Sequence, residues 1–258
     1  QFNARAQWTG FEDAPATLAA RYNGPIGRTF GLGIGVMSEQ AAQLSRLKLH
    51  LDYAFRFSIQ EDWKLSFGFF TEFQRMQVDN DVTTSSFYDP SDNLLEDLLN
   101  GKGEFDAAVG VFGTYRENTY GGLTFNNLVS SRLSDIAGGA DNETFFSYYS
   151  FLFGHRFELN DPKISLEPSV MMRNIRNAPF QMDVNLKAGF LDDQLIAGVS
   201  YRSLGALGIL LGTRLTNFNL YYSYDVSFQR FQKYNTGSHE VTIALSIQPK
   251  RNRQSANQ

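Results

Sequence analysis

The chain has 258 residues, with 23 basic and 27 acidic side chains and no cysteine. Because basic and acidic residues nearly balance, the composition lacks the excess of positive charge that is typical of nucleic-acid-binding proteins. The lack of cysteine excludes disulfides and thiolate chemistry. Mean hydropathy is -0.30, and no run of about 18 apolar residues could form a membrane-spanning helix. The 23 phenylalanines and 12 tyrosines are many for a soluble domain and suit the aromatic girdles of a membrane β-barrel.

Apolar and polar residues alternate along much of the chain. Between Gln181 and Phe190 the even positions are apolar and the odd positions are polar or glycine, and a similar alternation runs from Asn217 to Val226. A period of two indicates a strand with one apolar and one wet face. Because about ten residues of tilted strand cross a bilayer, the pattern predicts an all-β fold, a transmembrane antiparallel β-barrel.

Period two and turn residues together define about fourteen candidate strands, an even number. The predicted strands are Ala4–Gly10, Ala16–Asn23, Thr29–Met37, Leu44–Phe57, Trp63–Gln77, Phe105–Tyr115, Thr119–Asn126, Thr144–Glu158, Lys163–Arg173, Phe180–Phe190, Gln194–Arg202, Gly205–Leu215, Asn217–Val226 and Ser238–Gln248.

The connections between these strands support a bacterial barrel, which has short periplasmic turns and longer extracellular loops. If the first strand starts in the periplasm, every second connection should be short, and it is. The long connections Val78–Glu104, Asn127–Glu143 and Ser227–Gly237 all fall on the opposite side, which we expect to be extracellular. We expect residues 1–248 to form one barrel and residues 249–258 to form a polar periplasmic tail.

The longest connection contains one short predicted helix from Asp92 to Gly101, with Asp92 or Asn93 as the N-cap and Gly101 as the stop signal. Its four leucines share one face: Leu94, Leu95, Leu98 and Leu99. Two interpretations remain open. The apolar face packs on the loops or the barrel mouth, or it docks a partner protein.

Charged residues of both signs occupy the predicted inward face, among them Arg46, Lys48, His50 and Asp52. Side chains of opposite charge can bridge a barrel, whereas an open diffusion pore more often has one sign of charge at its constriction. This pattern favours a narrow or plugged lumen. A passive pore for small solutes remains the alternative.

Short motifs occur in a fixed order along the chain. An opening motif contains Arg5, Gln7, Trp8, Gly10 and Phe11, with Pro15 behind it, and a middle motif covers residues 121–127. The C-terminal motifs contain Glu167, Pro168, Ser169, Tyr201, Arg202, Tyr224, Asp225, Gly237, Ser238, His239 and Glu240. Together these motifs resemble those of the PorP/SprF family of outer-membrane proteins, and the resemblance covers nearly the whole chain.

The resemblance implies an accessory component of the type IX secretion and gliding machinery in the bacterial outer membrane. It further implies that the protein helps to export or attach large adhesins with a C-terminal sorting domain. The implied partners are outer-membrane lipid, this adhesin cargo, the type IX translocon and the periplasmic ring or motor components. No nucleic-acid partner is expected.

Enzyme chemistry is not expected, and we predict no catalytic residue, cofactor or metal site. Ser238, His239 and Glu240 together suggest a hydrolase, but adjacent strand residues point to opposite faces, so His239 should face outward while its neighbours face inward. His50 and Asp52 share the inward face and fit a charged wall better than a general base. There is no cysteine, no histidine pair at ligand spacing and no calcium-loop pattern.

Overall fold

The computed structural model is a closed barrel of antiparallel strands in which each strand pairs with its neighbour along the chain. It describes residues 1–84, 88–89, 91–129, 148–159, 163–175, 178–228 and 236–247. The strands are β1 Phe2–Ala6, β2 Ala16–Ile26, β3 Phe30–Ala41, β4 Leu44–Gln60, β5 Trp63–Val78, β6 Lys102–Tyr115, β7 Thr119–Phe125, β8 Tyr149–His155, β9 Phe157–Glu158, β10 Ile164–Asn174, β11 Gln181–Phe190, β12 Leu195–Arg202, β13 Ala206–Leu215, β14 Phe218–Ser227 and β15 Ser238–Leu245.

Fourteen strands surround the lumen, as predicted, because β8 and β9 are two pieces of one interrupted strand. Both pieces pair with β10, and the interruption lies at Arg156. The barrel closes where the first and last strands pair, with Phe2 opposite Ile243 and Ala6 opposite His239. The described part of the chain contains no helix with the length and apolar character needed to cross a membrane.

The burial pattern is the reverse of that in a soluble protein. On β4 the outward residues Leu47, Leu49 and Leu51 are 45, 48 and 39% exposed, whereas the intervening His50 is only 5% exposed. Apolar side chains therefore face outward and charged ones inward, as the alternation predicts. An outward apolar belt of this kind is what a membrane-spanning barrel presents to lipid acyl chains.

The two ends of the barrel differ in their connections. At one end, called the turn end, the connections are residues 27–29, 61–62, 116–118, 159–163, 191–194 and 216–217. At the other, called the loop end, they are residues 7–15, 42–43, 79–101, 126–148, 175–180, 203–205 and 228–237. The short set agrees with the predicted periplasmic turns. Much of the two other predicted long loops, and the tail of residues 249–258, lies outside the described residues.

Helix α1, Asn93–Asn100, lies in the connection of residues 79–101 and agrees with the predicted helix. The backbone N–H of Leu95 donates to the Asp92 carboxylate at 3.2 Å, so Asp92 is the N-cap, and Gly101 ends the helix at a φ of 83°. The helix packs against β5 and β6, and Leu95, Leu98 and Leu99 are half-buried.

The predicted first strand was placed too far along the chain. Ala4–Gly10 was predicted, but β1 is Phe2–Ala6, and residues 7–10 lie in the loop. The strand cannot continue because Trp8 has a φ of 49° and Gly10 a φ of 106°, both incompatible with extended backbone. The predicted eighth strand, Thr144–Glu158, is broken at Arg156, and residues 144–147 lie outside the described residues.

Candidate functional site

The closing seam joins the two ends of the chain through Arg5, which faces the lumen from β1. Its guanidinium donates to the Asp225 carboxylate of β14 at 2.9 Å and to the Glu240 carboxylate of β15 at 2.8 Å. Asn3 also donates to Glu240, at 2.6 Å. Three strands at the seam are therefore held by charge-assisted hydrogen bonds as well as by their backbone ladders.

Loop contacts continue the seam above the strands. The N–H of Thr9 donates to the carbonyl of Gly237 at 2.9 Å, and the N–H of Thr236 donates to the carbonyl of Thr9 at 2.7 Å. The N–H of Trp8 donates to the hydroxyl of Ser238 at 3.1 Å. The loop after β1 is thus tied to the residues that lead into β15.

Gly237 lies under the ring of Tyr224 in a backbone conformation that other residues rarely adopt. Its φ is 96°, and a Cβ at this position would lie 2.6 Å from the Tyr224 ring and 2.8 Å from the Asp225 carbonyl oxygen. The Tyr224 hydroxyl donates to the carbonyl of Thr236 at 2.8 Å. A glycine is therefore required for the chain to enter β15 beneath this ring.

His239 faces outward, as predicted. Its Nδ1 is hydrogen-bonded to the Tyr222 hydroxyl at 2.8 Å, and its ring lies 5.0 Å from the Tyr224 ring. Tyr222 is 40% exposed on the outer surface. Ser238, by contrast, is buried and accepts the Trp8 hydrogen bond. The serine and histidine are therefore not arranged as a nucleophile and base.

Beside the seam, at the loop end of the lumen, lies a cavity of about 420 Å³ that we call the mouth cavity. Its lining contains residues from both ends of the chain: Arg5, Gln7, Trp8, Arg173, Gln181, Arg202, Leu204, Ala206, Asp225, Ser227, Gly237 and Ser238. Arg173 and Arg202 both approach one carboxylate, that of Asp183, at 3.3 and 3.5 Å. The mouth cavity therefore has a strongly polar wall.

A second ionic cluster lies at the turn end of the lumen, around Asp193. The Asp193 carboxylate accepts hydrogen bonds from Arg156 at 2.8 Å, Arg214 at 3.1 Å and Ser165 at 3.0 Å. Gly189 makes room for this carboxylate, because a Cβ there would lie 1.9 Å from Asp193 Oδ1. The cluster therefore connects the turn that contains Asp193 with three residues of the barrel wall, Arg156, Ser165 and Arg214.

Glu167 extends this second cluster toward the centre of the lumen. It accepts a hydrogen bond from the Tyr120 hydroxyl at 2.8 Å and pairs with Lys187 at 2.8 Å. Gly154 lies under the Tyr120 ring, where a Cβ would be 2.4 Å from it. Polar side chains thus cross between four strands, β7, β8, β10 and β11.

Asp193 lies in a turn, outside the membrane-spanning strands. Burial alone would raise its pKa, but the hydrogen bonds from Arg156 and Ser165 outweigh burial and hold the pKa below its usual value. Leu191, Asp192 and Asp193 have φ values of 53, 57 and 64°. This run of left-handed backbone accompanies an Asp193 side chain that is buried at the turn end and not directed to solvent.

The structure brings together some, but not all, of the residues in the family-like motifs. The seam and mouth cavity collect Arg5, Gln7, Trp8, Arg202, Asp225, Gly237, Ser238 and Glu240, whereas Glu167 belongs to the second cluster. Gly10, Phe11 and Pro15 lie in the loop after β1, Pro168 and Ser169 lie on β10, and Tyr201 faces outward from β12. Sequence analysis missed Tyr120, Arg156 and Asp193. The inward position of Tyr120 could have been predicted from the alternation along its strand, whereas the positions of Arg156 and Asp193 could be found only from the structure.

A comparison with protein families agrees with the resemblance that these motifs indicate. The family model described as type IX secretion system membrane protein PorP/SprF matches residues 1–245. The chain belongs to this family. It is therefore a type IX secretion component, and its barrel lies in the bacterial outer membrane. No curated protein sequence matches the chain.

Solved structures show a similar fold at low sequence identity. The Ralstonia pickettii toluene transporter TbuX is 10% identical, with a TM-score of 0.52, and the match covers 94% of this chain and 86% of that one. The KdgM porin is 10% identical, with a TM-score of 0.46 over 96 and 98% of the two chains. The Escherichia coli outer membrane phospholipase A is 10% identical, with a TM-score of 0.43 over 96 and 91%. The first likeness supports the barrel fold alone.

Replacing Gly237 by alanine should destabilise the closing seam. The substitution places a Cβ at a φ of 96° against the Tyr224 ring, and strain and clash together should cost roughly 2–4 kcal/mol. Urea unfolding of the detergent-folded protein, followed by migration of unheated samples on a gel, measures this cost. Gly24→Ala is the matched control because its Cβ would meet only the Tyr22 hydroxyl, at 3.7 Å. Equal stability of the two variants would contradict the requirement for glycine at position 237.

Replacing Asp193 by asparagine should remove pH-dependent stability at the turn end. Because the folded pKa of Asp193 is lowered, its carboxylate stabilises the folded state above the unfolded pKa and loses this effect as pH falls through the folded pKa. The difference in unfolding free energy between wild type and Asp193→Asn should be about 2–3 kcal/mol at neutral pH. It should shrink as the pH falls below about 4. A pH-independent difference would show that the charge of Asp193 is not the source of the stability.

Proposed function

We propose that this protein is a non-enzymatic accessory of type IX secretion that helps to export large adhesins or to hold them at the cell surface. The observation that carries the proposal is the family match over residues 1–245. The convergence of family-like motif residues on one seam and one cavity supports it, because motifs from both ends of the chain serve the same part of the barrel.

The arrangement of the polar side chains supports a role without catalysis. Ser238 and His239 face opposite sides of the wall, so they do not form a nucleophile and base pair. His50 Nε2 lies 3.8 Å from Asp52 Oδ2, but the His50 ring is buried against Phe70, with ring centroids 5.5 Å apart. Both arrangements fit a braced lumen wall better than a reaction centre.

We infer the partners from the two ends and the outer surface. The apolar belt faces outer-membrane lipid. The loop end, with its mouth cavity, is on the side where secreted adhesin cargo with a C-terminal sorting domain would be held. The turn end would meet the periplasmic ring or motor components. Helix α1, with its leucine face of Leu94, Leu95, Leu98 and Leu99, would offer a further contact, for the translocon or for cargo.

Deletion of the gene should abolish surface display of sorting-domain adhesins, because the accessory is needed to export or retain them. Display is measured by antibody labelling of intact cells, with whole-cell cargo measured in parallel to separate lost export from lost synthesis. Complementation with the wild-type chain should restore labelling. Normal display of all such cargo in the deletion strain would show that the proposed function is wrong.

A passive pore for small solutes is the second candidate, favoured by polar cavities along the inward face. One of about 350 Å³ is lined by Arg21, Asn23, Asp52 and Arg56 among others. Purified protein in planar bilayers should give little steady conductance if the accessory role is right, because an inward face with charges of both signs favours a narrow or plugged lumen over an open pore. Large, steady single-channel steps would instead support the pore.

A further inference from the structure

The mouth cavity has an uneven distribution of charge between its two sides. On the seam side, Arg5 is hydrogen-bonded to two carboxylates, those of Asp225 and Glu240. On the opposite side, two guanidiniums, those of Arg173 and Arg202, share the single carboxylate of Asp183. Among the described residues, the ion pairs of the second side therefore leave one positive charge that is not neutralised.

Among the residues that the structure describes, few accept hydrogen bonds from the donors on this basic side. Arg173 donates one hydrogen bond to Asp183, through Nη2 at 3.3 Å. Arg202 approaches Asp183 only through Nε, at 3.5 Å, and that contact lacks hydrogen-bond geometry. The Nε atoms of both arginines are buried without a hydrogen-bond partner among the described residues. Each guanidinium has five N–H donors, and each side chain is still 36% exposed, so the donors that a ligand could satisfy are those of the Nη groups.

The donors and charge favour a carboxylate over a phosphate. The planar fork of a guanidinium pairs with a carboxylate through two parallel hydrogen bonds. A net charge of one suits a singly charged ligand, whereas a phosphate carries about two charges at neutral pH. The seam side offers acceptors instead, the Asp225 carboxylate and the Ser238 hydroxyl, and the amide groups of Gln7 and Gln181 line the cavity between. Acceptors and amides of this kind suit the N–H groups of a peptide backbone.

We propose that the mouth cavity binds a peptide segment through one acidic side chain, whose carboxylate lies between Arg173 and Arg202. The backbone N–H groups of the same segment face Asp225 and Ser238. The inference rests on the cavity and not on the proposed secretion role, since it names only the chemistry that the lining recognises. Trp8 lines the cavity and reports on its occupancy.

Binding can be measured by tryptophan fluorescence, because the chain has two tryptophans, Trp8 and Trp63. Trp63 starts β5 at the turn end and packs on Tyr115, away from the mouth cavity. In the full-length Trp63→Phe variant, folded in detergent, acetyl-Ala-Asp-Ala amide should change Trp8 emission in a saturable way. The matched acetyl-Ala-Asn-Ala amide should not, because it lacks the charge. Inorganic phosphate, the third probe, should bind more weakly than the aspartyl peptide.

Substitutions in the same background locate the site. Arg202→Gln and Arg173→Gln should each weaken aspartyl-peptide binding by about tenfold or more, the loss expected for a charged hydrogen bond. Arg202→Lys keeps the charge but not the planar fork, so it should also weaken binding and remains informative if a glutamine variant fails to fold. Arg56→Gln removes another lumen-facing arginine, one that lines a different cavity, and should leave affinity unchanged.

Each result supports or overturns the proposal. Saturable binding of the aspartyl peptide that requires Arg173 and Arg202 supports it. Equal binding of both peptides, no binding of either, tighter binding of phosphate, or equal loss in Arg56→Gln overturns it. Failure of adhesin display in a deletion strain is a separate result, because peptide binding is measured on the purified protein alone.

Discussion

Backbone hydrogen bonding inside the bilayer is the constraint on which the structure depends. No water is present there to satisfy a free N–H or C=O group, so a sheet can cross a membrane only if its first and last strands pair. Here β1 and β15 make that closure, and β1 has five residues. Arg5 is the fourth residue of this short strand and ties it to Asp225 and Glu240. The short strand at the closure therefore has a pair of charge-assisted hydrogen bonds in addition to its backbone ladder.

The same alternation that supplies an outward apolar belt places many charges inside, where each one is costly unless it has a partner. Glycines on the inward face make pairing possible, because they let long side chains of a neighbouring strand lie flat against the wall. A Cβ at Gly35 would lie 2.2 Å from the His50 ring, and one at Gly33 would lie 2.6 Å from the Asp52 carboxylate. Across the barrel, Gly154 and Gly189 give the same room to Tyr120 and Asp193. Glycine and charge thus occur together because one accommodates the other.

The alternation of apolar and polar residues, together with the turn residues, was sufficient to predict three features. These are the strands, the face of each strand that points inward and the end of the barrel that has short turns, and all three follow from local sequence. The alternation placed β1 four residues too late at its C-terminal end, because a positive φ at Trp8 is invisible in the residue type. The ion pairs could not be predicted. Arg5 meets Glu240 across 235 positions of sequence, and that register is fixed by closure of the whole barrel. Asp193 and Arg156 were missed because a turn and a strand interruption break the alternation that identifies inward residues.

The two ionic clusters lie at opposite ends of the lumen and contain residues from different strands, so each one connects a different part of the barrel. The turn-end cluster connects side chains from several strands between β7 and β13 around Asp193. It lies far from the closing seam. The seam cluster holds β1, β14 and β15, and its neighbours Arg173 and Arg202 remain under-bonded beside it. Arg46 also has a buried Nε without a hydrogen-bond partner among the described residues, but it does not share its carboxylate, that of Glu39, with a second arginine in any described ion pair. The donors at the mouth differ because two arginines, Arg173 and Arg202, share one aspartate there, and this leaves the pair able to bind a ligand.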